Sequence, residues 1–493
     1  MIPLSVADIA AVTGGTVTGG TATGGTATSA ACADTADTVV TSDTVVTSDT
    51  VVTGPVVIDS RQAVPGALFA ALPGERADGH DFAPAAAAGG AAAVLAARPL
   101  PGLTVPVIVV PDVTLALGLL ARAVLGRLPD ATVVGITGSS GKTSTKDLTA
   151  QVVERLGPTV APEGSLNNEI GLPLTVLRAD EETRYLILEM SARGIGHIAY
   201  LTGIAPPRIG AVLNVGRAHV GEFGSIDAVA KAKGELVEAL PEDGVAVLNA
   251  DDPNVAAMAA RTSARVVTTG VGPGSSADVR ASGLTLDDLG RASFTLRIGD
   301  AAAPVALTLH GAHHVANALA TAAIAAELGL DVTAIADGLS AATARSSKRM
   351  ELHERADGVL VVNDAYNANP DSTRAAIDAL AQMSRGGRRG IAVLGYMAEL
   401  GDLTAESHAE AGRLAAEAGA AVIVAVGAGA APVLDGARGT AGWPGEAVAA
   451  DDPRDAVAAL CSRVRPGDVV LVKASKAAGL WEVADGLLAE VPR

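Results

Sequence analysis

Residues 133–150 read VVGITGSSGKTSTKDLTA. An apolar run of strand length meets a glycine-serine turn, and a helix-forming run follows. In an α/β protein that order marks a phosphate-binding loop at a helix N-terminus. The usual spacing puts a glycine five residues before the second loop glycine. Here that position is Ile136, and the loop glycines Gly138 and Gly141 lie only three apart. Gly138, Ser139, Ser140 and Gly141 free the backbone to turn N–H groups toward one point, where the helix dipole favours an anion. Lys142 adds a positive charge for the terminal phosphates of a nucleotide, the Thr143 hydroxyl is placed for Mg2+, and Ser144 completes the phosphate-binding run. A chance lysine after a glycine-serine turn is the bland alternative. Strand before, helix after and Lys-Thr at the junction favour phosphate.

Working outward, RYLILEMS (184–191), IGAVLNVG (209–216) and DGVAVLNADD (243–252) are apolar runs of strand length separated by helical segments. Continuous apolar strands alternating with helices predict a parallel sheet covered on both faces. From 305 a strand leads into a long alanine-rich helix. Beyond 345, GVLVVNDAY, GIAVLGYM, AAVIVAVG and DVVLVKAS alternate with helices again, as a second doubly wound domain would. Upstream, residues 55–112 form a compact α/β module. The fold expected is α/β in three domains, 1–112, 113–344 and 345–493: a small N-terminal module, a central P-loop ATPase-type parallel-sheet domain and a C-terminal Rossmann-like domain. Inside the first, TGGTVTGGTATGGTAT (13–28) and the six-residue repeat DTVVTSDTVVTSDTVVTG (37–54) are low-complexity. Residues 13–54 are read as an insertion, its first half a mobile loop, its Val-Val repeats able to pair as short hairpin strands but too few for a solenoid.

A chain of 493 residues is too long for one core, which agrees with several domains. Its net charge of −18 excludes a general nucleic-acid binder, although a local nest of amides can still hold phosphate. The two cysteines, Cys32 and Cys461, read as isolated thiols rather than a disulfide framework. No run is long and apolar enough to span a membrane, and MIPLSVADIAAVTGG has no basic stretch of a signal peptide. A cytoplasmic, monomeric enzyme without membrane insertion is expected.

Further polar residues stand where α/β sites form. Glu189 ends a strand run, His219 follows another, and Lys231 and Lys233 sit on the helix after it. Taken singly, each reads equally as an end-of-strand charge, a loop residue or a solvated helix face. Asn317 lies near a helix start and reads equally as a cap. Asp364, Tyr366, Asn367 and Asn369 crowd one strand-to-helix turn before Pro370. One cap needs one Asx residue, so this crowding points to a ligand.

The succession GITGSSGKTSTKDLT, GSLNNEIGLPLTVL, LEMSARGIGHI, NVGRAHVGEFGSIDAVAKAKGE, HGAHHVANALA, NDAYNANPDSTRAA and GYMAELGD resembles the Mur ligases of peptidoglycan synthesis, a family that uses the short TGSSGKT loop for ATP. DSRQAVPGALFAALPGERADGHDF (59–82) is similar to the family's UDP-binding N-terminal domain. The likeness runs from residue 55 onward and is nearest to the branch that joins D-alanyl-D-alanine to UDP-N-acetylmuramoyl-tripeptide. It implies an ATP-dependent amide ligase working through an acyl phosphate, with Lys142 on the γ-phosphoryl group and one Mg2+ on Thr143 and Glu189. A second Mg2+ would be held by His219 and by Lys233 carbamylated with CO2, with Lys231 the weaker choice. The resemblance places Asn317 and Arg349 on the nucleotide base and phosphates, and Asp364 on the ribose. Asn167 and Asn168 would face the muramoyl peptide and Asp59, Ser60 and Arg61 the UDP group, with Tyr366, Asn367 and Asn369 also at substrate. A hinge near residue 345 would close the domains.

Three positions depart from the family pattern. Tyr396 stands for an acid in GYMAELG, KASK (473–476) stands for KGSR, and His313-His314 stands for His-Asn. None removes a metal or phosphate group, but Tyr396 leaves the accepted dipeptide open. Rival readings are a sister ligase that adds a single amino acid, a folylpolyglutamate synthetase, and a nucleotide-gated binding protein without catalysis. ADDPRDA (450–456) has a superficial likeness to a sister-ligase signature, too near the C-terminus to count.

Overall fold

A computed structural model describes residues 1–19, 49–74, 77–216, 220–272 and 274–489. It forms two compact units: Met1–Thr132 with Leu166–Leu186 and Gly203–Ala205, and Val133–Ser165 with Ile187–Thr202 and Pro206–Arg493.

In the first unit a five-stranded sheet runs in the order Thr16–Thr18, Val107–Val109, Ala93–Ala96, Leu68–Ala70, Val56–Val57. The first pair is antiparallel and the rest parallel. Phe69, Val94 and Ala96 fill its core. The two ends of the low-complexity segment differ from the expected insertion. Thr13 closes the helix Val6–Thr13, Gly14 stops it in the left-handed conformation at φ +67°, and Thr16–Thr18 pairs with Val107–Val109. At the other end, Val51–Val52 pairs with Leu4–Ser5. The same Thr-Val alternation that looks repetitive is a strand pattern, and Gly14 just before it is a helix stop. Residues 20–48, which include Cys32 and most of the repeats, lie outside the described residues. The helix Val113–Gly126, expected to open the central domain, packs on Val6–Thr13 and Gly171–Val176 within this first unit.

A nine-stranded sheet carries the strands of the phosphate-loop region. Its order is Ala301–His310, Arg291–Ile298, Val279–Leu286, Arg265–Gly270, Val245–Asn249, Ile209–Val212, Thr132–Thr137, Tyr185–Glu189, Thr159–Val160. From Thr132–Thr137 through Val279–Leu286 neighbours are parallel, as the apolar runs predict. The last three strands on that side are antiparallel, which the reading of a purely parallel sheet did not foresee. They alternate buried and exposed residues, because one face only is covered.

The C-terminal sheet has six strands: Glu351–Glu354, Leu360–Asp364, Val469–Lys473, Gly390–Leu394, Val422–Val426, Glu446–Ala450. All but the first pair are parallel, and apolar cores fill both faces. The last strand in sequence, Val469–Lys473, inserts between the earlier Leu360–Asp364 and Gly390–Leu394. That reversal of strand order opens a crevice at the carboxyl ends, where open α/β sheets place ligands. Among the described residues no helix is long and apolar enough to cross a membrane.

Candidate active site

The buried strand Thr132–Thr137 delivers the loop Gly138–Gly141, and the helix Lys142–Val153 starts directly after it. The serine half of the loop is fastened to the end of the neighbouring strand. Ser139 N–H donates to the Asn214 carbonyl at 3.0 Å, and Ser140 N–H to Asn214 Oδ1 at 2.9 Å. Asn214 Nδ2 donates back to the Ser140 carbonyl, and Gly216 N–H to Ser139 Oγ at 2.8 Å. Asn214 escaped the sequence reading, although an Asx residue just past a parallel strand beside the loop is a signal that finds it. With those two amides engaged, the anion-facing donors are the N–H groups of Lys142, Thr143 and Ser144, which have no intrahelical acceptor. No side chain caps this helix; its N-cap is Gly141 at φ +80°. A Cβ there would lie 2.5 Å from Asn317 Oδ1, and one on Gly138 would lie 2.9 Å from Leu213 Cβ. The short loop therefore keeps glycine where neighbours press closest.

Lys142 reaches back to the Gly138 carbonyl at 2.8 Å. Burial pushes its pKa down, the Glu189 carboxylate pulls it up, Arg349 pushes down and Glu399 pulls up. Arg349 is thus close enough to be felt at the loop. Thr143 Oγ1 donates to Glu189 Oε2 at 2.8 Å, and both residues are buried. Lys233 is 2% exposed on the helix Ile226–Glu238, and burial and then the charge of Lys142 hold its pKa well below the ordinary lysine value. Among the described residues no carboxylate pairs with it. Lys231 is exposed. His219, expected beside Lys233, lies outside the described residues.

Two further residues, which nothing in the sequence singles out, set the Lys233 helix. Glu235 accepts from Gly196 N–H at 2.6 Å and from Ala199 N–H at 3.0 Å, tying the helix to the turn after Glu189. Arg261 donates to the Ala230 and Lys231 carbonyls at 3.0 and 2.8 Å and lies over Gly234, where a Cβ would displace its guanidinium.

At the C-terminal crevice Asp364 accepts from Met350 N–H at 3.1 Å and from Lys473 Nζ at 2.6 Å. Lys473 also donates to the Asn367 carbonyl at 3.0 Å. Lys473 belongs to the KASK departure but was not assigned a role from sequence. The Tyr366 hydroxyl meets Ser165 Oγ at 2.5 Å, and the Arg349 guanidinium lies 4.4 Å from its ring centroid. Asn369, read from sequence as part of a ligand cluster, caps a helix here. Its carboxamide accepts from Ser372 N–H at 2.9 Å and Ser372 Oγ answers from its side: a full capping box on the helix Pro370–Met383. Asn367 Oδ1 accepts from Ala368 N–H at 3.0 Å. ADDPRDA likewise resolves into a cap, with Asp452 accepting from Arg454 and Asp455 N–H groups. Tyr396 stacks on the buried His408 ring at 5.5 Å and packs against Gly429.

In the first unit, Asp59 binds Arg61 twice over, through the Arg61 N–H at 3.0 Å and the guanidinium at 2.6 Å. These hydrogen bonds lower the Asp59 carboxyl to about 2. The Arg61 side chain is exposed, and Ser60 is half-buried. Asn168 Oδ1 accepts from Gly171 N–H at 2.9 Å, and Asn167 belongs to the same unit.

Three family descriptions match the chain: Mur ligase family, catalytic domain over 52–124; Mur ligase middle domain over 136–325; and Mur ligase, glutamate ligase domain over 348–476. The chain is 48% identical over 526 residues to a UDP-N-acetylmuramoyl-tripeptide–D-alanyl-D-alanine ligase of Mycobacterium bovis, covering 99% of this chain and 98% of the relative. Its Escherichia coli counterpart is 40% identical over 369 residues, covering 75% and 80%. A crystal structure of MurF from Acinetobacter baumannii superposes with a TM-score of 0.84 at 30% identity, covering 99% of both chains. MurF ligase from Thermotoga maritima in complex with ADP gives 0.76 at 30% identity, covering 88% and 97%.

Proposed function

The chain belongs to the Mur ligase family, and we propose that it joins D-alanyl-D-alanine to UDP-N-acetylmuramoyl-tripeptide at the expense of ATP, in peptidoglycan precursor synthesis. The observation that carries this reading is the convergence of Lys142, Thr143, Glu189 and Lys233 at the carboxyl edge of one sheet. A protein that only binds a nucleotide has no use for a buried lysine, without a carboxylate partner among the described residues, beside the lysine of its phosphate loop.

The peptide carboxylate attacks the γ-phosphorus of ATP, releasing ADP and leaving an acyl phosphate. The dipeptide amine then attacks the acyl carbon, and the tetrahedral intermediate loses phosphate and a proton to leave the amide. Negative charge builds on oxygen in each step, so fixed cations and amide donors aimed at it account for most of the rate. Lys142 and the N–H groups of Lys142, Thr143 and Ser144 serve the transferred phosphoryl group. Arg349 adds charge from the C-terminal side. Asn317 borders the phosphate loop, and Asp364, held by Lys473, takes the ribose hydroxyls. Tyr366 and Asn367 border the same crevice. Asp59, Ser60, Arg61, Asn167 and Asn168 serve the UDP-muramoyl substrate.

Thr143 and Glu189 offer neighbouring oxygens in a buried setting, the donor chemistry a hard cation such as Mg2+ takes. Lys233 fits the carbamate reading: burial and Lys142 favour its neutral amine, the form that adds to CO2, and the product is an anionic oxygen ligand. His219 would complete that second site. Bound there, Mg2+ would neutralise charge on the phosphoryl oxygens. A monomer in the cytoplasm completes the proposal.

The test is phosphate release from ATP with UDP-N-acetylmuramoyl-tripeptide, with and without D-alanyl-D-alanine, and the product mass. Release that requires the dipeptide, with a UDP-pentapeptide formed, is expected. Release that requires a single amino acid instead, or ATP binding without release under any pairing, would overturn it.

A further inference from the structure

In HGAHHVANALA the family pattern has asparagine where this chain has His314. The residue is 3% exposed at the first turn of the helix His314–Glu327, one turn before Asn317, which is itself buried. His314 Nδ1 lies 3.3 Å from Asn317 Nδ2. The other end of the Asn317 carboxamide, Oδ1, faces the phosphate loop so closely that Gly141 has no room for a Cβ.

A carboxamide has a donating end and an accepting end, and only its partners decide which way it faces. An NH2 group can donate only to a nitrogen without a proton, so this orientation pairs with a neutral His314 that carries its proton on Nε2. Its surroundings favour that state, since burial and then the neighbouring His313 and His310 disfavour the charged ring. The His313 ring packs against it, tilted by 38° with centroids 4.3 Å apart. If the carboxamide turned over, its NH2 group would face Gly141 and its oxygen would face the lone pair of His314 Nδ1. With its proton on Nε2 the histidine selects one of two carboxamide orientations at the point where helix and loop meet.

We infer that His314 is a positioning residue which orients the Asn317 carboxamide against the phosphate loop and so sets the affinity for the nucleotide. The inference rests on the reading that this loop binds ATP. Asparagine at 314 would place an acceptor Oδ1 at nearly the position of the imidazole Nδ1, because both atoms are bonded to Cγ. The departure thus replaces one acceptor with another, packed against the tilted His313 ring.

The experiment is titration of the full chain with ADP and Mg2+ by calorimetry, with the KM for ATP and kcat measured in parallel. His314→Phe keeps a ring and removes the acceptor, His314→Leu does the same with less bulk, and His314→Asn restores an acceptor. Phe and Leu are expected to weaken ADP binding about three- to tenfold, the effect of one lost hydrogen bond in a buried setting. They should raise KM for ATP and leave kcat close to unchanged, and Asn should recover most of the affinity. In an Asn317→Ala background the Phe substitution should add no further loss. ADP affinity unchanged in both Phe and Leu variants, or an equal loss with and without Asn317, would overturn the inference. If the unsubstituted protein binds ADP but fails dipeptide-dependent phosphate release, the functional reading falls while these titrations still decide the role of His314.

Discussion

Two turns of the second unit, 138–141 and 365–369, each follow a buried strand and open a long helix, and they treat their polar groups in opposite ways. At the first, the residues are glycine and serine, the serines are fastened backward onto Asn214, and the helix Lys142–Val153 has no side-chain cap. At the second, Asn369 and Ser372 close the helix Pro370–Met383 with a capping box, and Asp364 and the Asn367 carbonyl are held by Lys473. An uncapped helix start keeps orphan N–H groups for a ligand, whereas a capped one has satisfied them internally. The number of polar side chains is thus a poor guide to which turn binds an anion. What matters is which donors remain without a partner.

If that contrast is right, a substitution at the first turn should damage chemistry and leave the fold intact. Lys142→Met is expected to lower dipeptide-dependent phosphate release by about a thousandfold, the scale of losing one preorganised charge or donor at a transition state. Its thermal midpoint should not fall, since Lys142 is a half-buried cation whose charged form desolvation already disfavours. A variant that unfolds early and retains its turnover would break the comparison at once.

At the second turn the balance should reverse. Asp364→Ala leaves the Lys473 ammonium, whose side chain is 2% exposed, with only the Asn367 carbonyl. Removing one partner of a buried ion pair costs about 3–5 kcal/mol, read as a lower urea midpoint at unchanged slope. Weaker ATP binding is expected as well if Asp364 holds the ribose. Full stability with weaker ATP binding alone would make this turn ligand-facing like the first.

The parallel strands and the phosphate loop were legible because each announces itself locally, as an apolar run or a glycine spacing; Glu189 alone read equally as an end-of-strand charge, and its place beside Thr143 came from the family resemblance. The choice of Lys233 over Lys231 came from the family motif; Lys233 is buried and Lys231 exposed. Other features needed the third dimension. Lys473 and Asp364 are 109 residues apart, and only the insertion of the last strand beside Leu360–Asp364 brings them together. Arg261 reads as an ordinary surface arginine until it is seen lying over Gly234. The antiparallel strands 279–310 carry an alternating pattern, but the parallel strands before them set a different expectation. In the Thr-Gly segment, repetition obscured a helix stop at Gly14 and a three-residue strand. Polar crowding at 364–369 pointed to a ligand, and part of that crowding is a cap.

Asn369 is where the comparison is sharpest, because a cap and a substrate contact predict different measurements. As a cap, Asn369→Ala loses one side-chain acceptor at the helix start, which costs about 1 kcal/mol, and Asn369→Asp or Asn369→Ser should recover most of it. Its 4% exposure leaves little of the residue for a ligand to touch. The KM for D-alanyl-D-alanine and that for the UDP-tripeptide should then stay within about twofold of the parent, since a change of 1 kcal/mol in global stability leaves the folded fraction near unity. A substrate contact would show the opposite, with a KM raised tenfold at unchanged unfolding midpoint and no rescue by serine. That result would return Asn369 to the ligand cluster and make the second turn, like the first, one whose polar groups face outward.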